Sequence, residues 1–469
     1  MELTDKRRSL IFINILITCI ASSMLATALN TALPVVIEDL KINVNTGQWL
    51  TSAYSLAMGI MMPLTAYLIR RFPSRKLYLT AILVFLSGLT ICALAPNFPI
   101  MMTGRILQAC GNGILTSMAQ VILLSIYPPE KRGTIMGWYG LSVGAAPVIA
   151  PTLAGILVDY LGWRMIFYIA IGIMLISLVF AIRVFGNVLE TVKQKFDVVS
   201  FLMSGFAFAG ITLGIGNMGS YPFLSMQVGV ILAIGGIALV LFVYRQFHIE
   251  TPFLELRILK SRDYTLSVIG SMFLYFIMMG SSVLMPLYVQ SVLGLSATVS
   301  ALVTLPGSLI MAVISPFAGK IYDKIGMKAL FVSGAVCLIF SNMGMCLVTM
   351  QTTVWLSSVL NVVRNVAIGC LMMPLVTWGT SSVKKELTAD ATALLTSLRT
   401  IAGAIGTAVF VGIMTFVSSR SAGQNGENAP MHGMNATFLA MGISSVILLM
   451  IAVFGVKKSI GNQDQQKAR

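Results

Sequence analysis

Apolar runs of about twenty residues or more, separated by short polar or basic connections, recur along the whole chain. Leu77 to Ala95, Ala329 to Met350 and Met434 to Val456 contain no charged side chain. A helix needs about 20 apolar residues to cross a ~30 Å hydrocarbon layer. The pattern predicts helical spans near 10–37, 48–69, 77–95, 98–126, 133–158, 163–185, 198–217, 222–244, 264–290, 297–319, 329–350, 353–380, 388–417 and 433–456. Turn residues at Pro96–Pro99, Pro128–Pro129, Gly219–Pro222 and Ser418–Gly433 punctuate them. The expectation is an all-α, polytopic membrane protein with fourteen transmembrane helices.

Composition agrees, because 57% hydrophobic and 10% charged residues, with a mean hydropathy of +0.90, do not suit a soluble fold of 469 residues. The net charge of +15 is an orientation signal rather than a nucleic-acid one. With the Lys6, Arg7, Arg8 end placed in the cytoplasm, 25 of the 31 basic residues fall on that side. Lys41, Arg164 and Arg420 fall outside, and Arg105, Arg364 and Arg399 fall within spans. Both termini are therefore expected in the cytoplasm, with the basic loops near anionic lipid headgroups. The first apolar run is too long for a cleavable signal peptide and continues into a span. The six cysteines lie in apolar stretches without metal spacing and read as packing residues. No cofactor or metal site is expected, and nothing suggests catalysis: His248 and His432 lie in loops without a nucleophile nearby.

A basic connection after the second span, "LIRRFPSRKL", has a relative after the tenth, "GKIYDKIGMK". Such internal repetition is typical of secondary transporters. It divides the chain into two six-helix halves, with the seventh and eighth spans unmatched between them.

Several segments together resemble the major facilitator superfamily, in its fourteen-helix drug:proton antiporter branch (EmrB/QacA-like). They are "LNTALPVV" (29–36), "GQWLTSAYSL" (47–56), "GRILQACGNG" (104–113), "GWYGLSVGAAPVIAPTLAGILVD" (137–159), "GWRMIFYI" (162–169), "MPLYVQSVLGLSATVSALVTLPGSL" (285–309) and "LRTIAGAIGTAVF" (398–410). The resemblance implies the major-facilitator fold: six-helix bundles at 1–186 and 261–469, and an inserted linker helix pair at 187–260. It also implies a hinge in the fifth helix at Gly140, Gly144, Pro147 and Pro151. A cytoplasmic latch is implied at Arg70, Arg71, Asp323 and Lys324. The chain departs from the family's pattern in three places. The run "MLATALN" lacks the carboxylate often found near Leu25, Arg70 replaces an acid whose second-half counterpart Asp323 is kept, and Ala146, Ala150 and Ala154 replace glycines.

Arginines at mid-membrane cost about 2.5–3.5 kcal/mol each, so Arg105, Arg364 and Arg399 together oppose insertion by roughly 8–10 kcal/mol. Helical phase gathers the polar residues into stripes: Arg105, Gln108, Asn112 and Thr116; Asn361, Arg364 and Asn365; Thr392, Thr396, Arg399 and Gly403; and Ser23, Thr27, Asn30 and Pro34. Thr27, Asn30, Arg105, Gln108, Asn112, Asn361, Arg364, Asn365, Thr396 and Arg399 are the expected walls of a substrate cavity; interhelical hydrogen bonding is the alternative. All sixteen acids lie at or near the loops, and Asp390 comes closest to the membrane interior, with Glu386 just before it. Arg105, Asp390 and Glu386 are the proton-coupling candidates; for Asp390 the alternative is an acid favourably placed at a helix N-terminus.

The function expected is proton-coupled export of small amphipathic compounds by alternating access. Three arginines and no central carboxylate predict a preference for neutral or anionic cargo. An organic-anion facilitator or uptake carrier without proton antiport is the alternative. The expected partners are a small-molecule substrate, protons and membrane lipid, not nucleic acid, for a monomer in the plasma membrane.

Overall fold

The computed structural model describes residues 4–42, 44–192, 196–217, 225–249, 252–295, 297–425 and 428–456. In chain order the long helices are α1 (Asp5–Asp39), α2 (Val44–Arg71), α3 (Ser74–Ala93), α4 (Phe98–Ile126), α5 (Pro129–Leu161), α6 (Arg164–Val184) and α7 (Val198–Asn217). They continue as α8 (Ile231–His248), α9 (Arg262–Leu287), α10 (Ala297–Ile325), α11 (Met327–Cys346), α12 (Val354–Ser381), α13 (Thr388–Asn425) and α14 (Ala429–Met450). Among the described residues thirteen helices are long and apolar enough to cross a membrane; α5 is the other long one.

The chain's own turn chemistry sets the ends. Asn97 accepts the Ile100 N–H at 3.1 Å, and Pro99 sits in the first turn of α4. Gly162 (φ 83°) ends α5, and Gly326 (φ 77°) separates α10 from α11; both take the positive φ that glycine adopts without strain.

In the first set, α3 packs on α4 and α6, α4 on α2, and α1 on α5 and α6. In the second, α9 packs on α13 and α12, α10 on α12, α11 on α12 and α14, and α13 on α14. The two sets meet where α5 lies along α10 and α12, and where α2 and α4 meet α13. Helices α7 and α8 pair at Gly210 and Gly235, where a Cβ on Gly210 would stand 2.5 Å from the Gly235 Cα. Small residues permit such close backbone approach, which matters because lipid gives helices no hydrophobic reason to associate. α7 then rests on α2, with Phe208 filling the space over Gly59.

One end of this assembly carries Arg70, Arg75, Lys131, Lys320 and Lys384, and is termed the basic face. Here the two sets are closed on each other. Residues 388–397 of α13 are buried on every side, whereas most of 400–421 is partly or fully exposed. The α5–α10 seam shows the same gradient. A Cβ on Gly137 would sit 2.6 Å from the Ser315 carbonyl oxygen, and one on Gly144 no nearer than 3.6 Å to Met311. At Gly155 it would meet nothing within 4 Å. The sets therefore part toward the opposite, splayed face.

Candidate transport site and gate

Arg105 is fully buried on α4 and turned toward α2. Its Nε donates to the Leu50 carbonyl at 3.1 Å, its Nη1 donates to Gln108 Oε1 at 2.7 Å, and its guanidinium lies 4.1 Å from the Tyr54 ring centroid. Gln108 Nε2 donates to the Gly88 carbonyl of α3 at 3.1 Å. Asn112 Nδ2 donates to the Tyr54 hydroxyl at 2.7 Å, and Thr116 donates to Asn112 Oδ1 at 3.1 Å. The stripe read from helical phase is thus one continuous network. Its centre is Tyr54, which phase on α4 alone had no means of finding; the signal lay in the second-helix segment "GQWLTSAYSL".

The other two arginines are held differently. Arg364 is fully buried, 5.2 Å from the Phe438 ring of α14, and its three side-chain nitrogens have no hydrogen-bond acceptor. Arg399 stacks 4.6 Å from the Tyr275 ring of α9, with Nε and Nη1 unpartnered. Tyr139 of α5 adjoins Gln120 of α4 and lies within electrostatic reach of Arg399 and Tyr275, so side chains of both sets meet there. Thr392 and Thr396 are buried with unpartnered hydroxyls. Asn361 and Asn365 turn toward α10 at Gly307, and Asn365 Nδ2 donates to the Asn361 carbonyl at 2.9 Å. The side chains of Thr27, Asn30, Pro147 and Pro151 lie outside the described residues. Gly140 and Gly144 line the α5–α10 seam.

Among the described residues, two charged contacts join the sets at the basic face. Asp323, at the end of α10, accepts from the Gly133 N–H at 2.9 Å and from the Thr134 N–H and hydroxyl at 2.7 Å each, in the first turns of α5. Arg70, at the end of α2, donates from Nη1 to Asp390 Oδ2 in the first turn of α13 at 3.0 Å. The acid that α2 lacks therefore sits on its partner helix. Arg70 also donates to the Phe253 carbonyl at 2.9 Å, and the Glu255 N–H donates to Asp390 Oδ1 at 3.1 Å. Arg71 instead lies over Phe72 beside it at 5.9 Å, while Lys324 and Glu386 are exposed.

The Major Facilitator Superfamily model matches residues 12–407. The chain belongs to this superfamily. Over 443 residues it is 35% identical to an uncharacterized MFS-type transporter, YcnB, of Bacillus subtilis (strain 168), covering 94% of each chain. It is 37% identical over 411 residues to the lincomycin resistance protein LmrB of the same organism, covering 86% of this chain and 85% of LmrB. It is 26% identical over 422 residues to the multidrug export protein EmrB of Escherichia coli (strain K12), covering 88% and 81%. These relatives agree with the EmrB/QacA-like drug-exporter branch. Among solved structures, the human organic anion transporter MFSD10 (TETRAN) superposes with a TM-score of 0.64 at 14% identity, covering 96% of this chain and all of that one. That likeness concerns the fold. The chain is thus an integral membrane transporter of small molecules rather than an enzyme.

Proposed function

We propose that this transporter exports small amphipathic compounds in exchange for protons, by alternating access between six-helix bundles at 1–186 and 261–469, with 187–260 as an inserted helix pair. The basic face is the cytoplasmic one, by the bias of positive charge toward that side of a membrane. Both termini lie there, and the protein acts as a monomer in the cell membrane. The observation that carries this reading is the asymmetry between faces: charged contacts close the sets at the basic face, and the seam opens toward the other. An outward-facing state of a rocking transporter has this form.

Arg105, Gln108, Asn112, Asn361, Arg364, Asn365, Thr396 and Arg399, with Thr27 and Asn30, line the path of the cargo. Gly140, Gly144, Pro147 and Pro151 form the hinge. Asp390 takes the proton, with Glu386 at the same end and Arg105 coupling proton to cargo. Three buried arginines without a mid-membrane acid favour neutral or anionic amphipaths over lipophilic cations. LmrB and EmrB, by their names, act on lincomycin and on multiple drugs, which sets the first compounds to try.

Everted membrane vesicles with an imposed pH gradient test the reading: uptake of lincomycin or an organic anion should rise with the gradient and release protons. The arginines also suit a second reading, a facilitator or uptake carrier for organic anions. Flux unchanged after the gradient is collapsed favours that carrier, and stronger transport of ethidium-like cations than of anions contradicts the assigned cargo preference.

A further inference from the structure

We propose that Asp390 and Arg70 form a proton-operated lock on the basic face, and that the segment after α8 is the third part of that lock. This deepens the transport reading and rests on it only for the use made of the proton. Arg70 and Asp323 stand at the same place in the two related basic connections, with opposite charge. The Asp323 contact is a carboxylate on helix N-terminal donors, favoured by the helix dipole as well as by its hydrogen bonds. The Arg70 contact is instead an ion pair whose acid is sealed from solvent: the Asp390 side chain is 0% exposed, against 16% for Arg70. A buried carboxylate depends on its paired cation and donors, because water does not solvate it.

The segment holding the pair belongs to neither set. Arg70 Nη2 donates to the carbonyls of Phe253 (2.9 Å) and Pro252 (3.4 Å), and Glu255 supplies the N–H on Asp390. Phe253 is buried against the rings of Tyr67, Phe196 and Phe201. The Leu254 N–H donates to Gln246 Oε1 at 3.1 Å. On the entry side of the helix pair the Val192 N–H donates to the Arg70 carbonyl at 2.8 Å, and Arg245 closes the base of the pair on Asp197. Both ends of the α7–α8 pair are thus bound to the residue that makes the lock.

Among the described residues, Arg70 of α2, Glu255 of this segment and Tyr264 of α9, whose hydroxyl donates to the Ala391 carbonyl at 2.7 Å, stand beside Asp390, with Lys385 and Glu386 in the turn before α13 and Arg262 and Asp263 at the start of α9 at the same end. α7 carries no charged residue; α4, α12 and α14 bring Arg105, Cys110, Arg364, Cys370 and His432, each more than about 15 Å of helix rise from the basic end. Proton uptake at Oδ2 leaves a neutral acid, while Arg70 keeps its charge and loses its partner. Its release frees the 252–255 segment and lets α2 and α13 part. The order suits an antiporter: the deprotonated pair holds the basic face shut, and proton uptake favours the state open to the basic side.

The test uses the purified full-length chain in lipid nanodiscs, without cargo. Spin labels at exposed Lys76 and Lys384 report the basic-face distance between pH 5 and 8. The open-to-closed ratio should rise as pH falls, by at most about tenfold per pH unit for one proton. Asp390→Asn should give the long distance at every pH. Arg70→Asp combined with Asp390→Arg should restore the short distance at neutral pH, which neither single change does. Pro252→Ala with Phe253→Ala should raise the open fraction while leaving its pH dependence intact. PH-dependent opening that survives in Asp390→Asn overturns the proposal. Should that variant not fold, an exchanged pair that fails to close overturns it equally. If the distance titrates through Asp390 but vesicle flux ignores the pH gradient, the lock stands and proton-driven export falls.

Discussion

Replacing Asp323 by Ala removes the seam's anchor at the start of α5. Three donors lose their acceptor: the Gly133 N–H at 2.9 Å, and the Thr134 N–H and hydroxyl at 2.7 Å. Hydrogen bonds to a charged group contribute about 1.5–3 kcal/mol each. These three share two carboxylate oxygens and are not additive, and water satisfies the same donors once the face opens. A net loss of roughly 2–4 kcal/mol from the closed state follows, so its advantage over the open state falls about 30- to 1,000-fold. Ser315 of α10 reads this out, because it is buried at 4% exposure against Gly140 of α5. With Ser315→Cys in an otherwise cysteine-free protein, a membrane-impermeant maleimide should label the Asp323→Ala variant faster by that factor. An acceleration below threefold in a variant that still folds and melts normally would refute the idea that this contact holds the face shut.

Further outcomes follow from the same geometry. Gly137→Val would place a side chain against the backbone of Ser315 and Pro316, at 2.6 and 2.8 Å; the overpacking costs about 1–3 kcal/mol and should hold the basic face ajar, raising labelling of the same cysteine. Arg105→Lys should lower the unfolding free energy by roughly 2–4 kcal/mol and abolish flux, because an ammonium cannot serve Leu50, Gln108 and the Tyr54 face together. The lowered melting temperature checks it. At the splayed face the Arg164 hydrogen bond, helped by Trp163, holds the Asp39 carboxyl below its usual range. Its contribution is therefore full above about pH 4 and lost as pH falls through the lowered value. The pair is roughly 40% exposed (44% and 39%), so Asp39→Asn should change stability by only ~0–1 kcal/mol at pH 7, and its melting curves from pH 5 to 8 should run parallel to the native ones.

The spans were legible because each obeys a local rule. The stretch 98–126 coincides with α4 because Asn97 and Pro99 fix its start and an apolar run of bilayer length follows. Burial of Arg105, Arg364 and Arg399 followed from their position within apolar runs. Helical phase gave the company Arg105 keeps on α4, but a periodicity carries no information about which neighbour it faces. The choice of α2, with Tyr54 as cap, is a tertiary fact. The Arg70–Asp390 pair spans 320 residues, so the sequence displayed a missing acid and an unusual one without joining them. Phe253 was hidden for another reason: it lies in a short connection with no periodicity, and its burial depends on rings from α2, α7 and the segment before α7.

Alternation between faces is measured most directly by two spin-label pairs in parallel samples, Lys131 with Lys324 on the basic face and Trp49 with Arg420 on the other. As pH is lowered or cargo is added, the account predicts reciprocal change, one distance lengthening while the other shortens. Both pairs lengthening together, or the splayed-face pair staying fixed while the basic face opens, would contradict it.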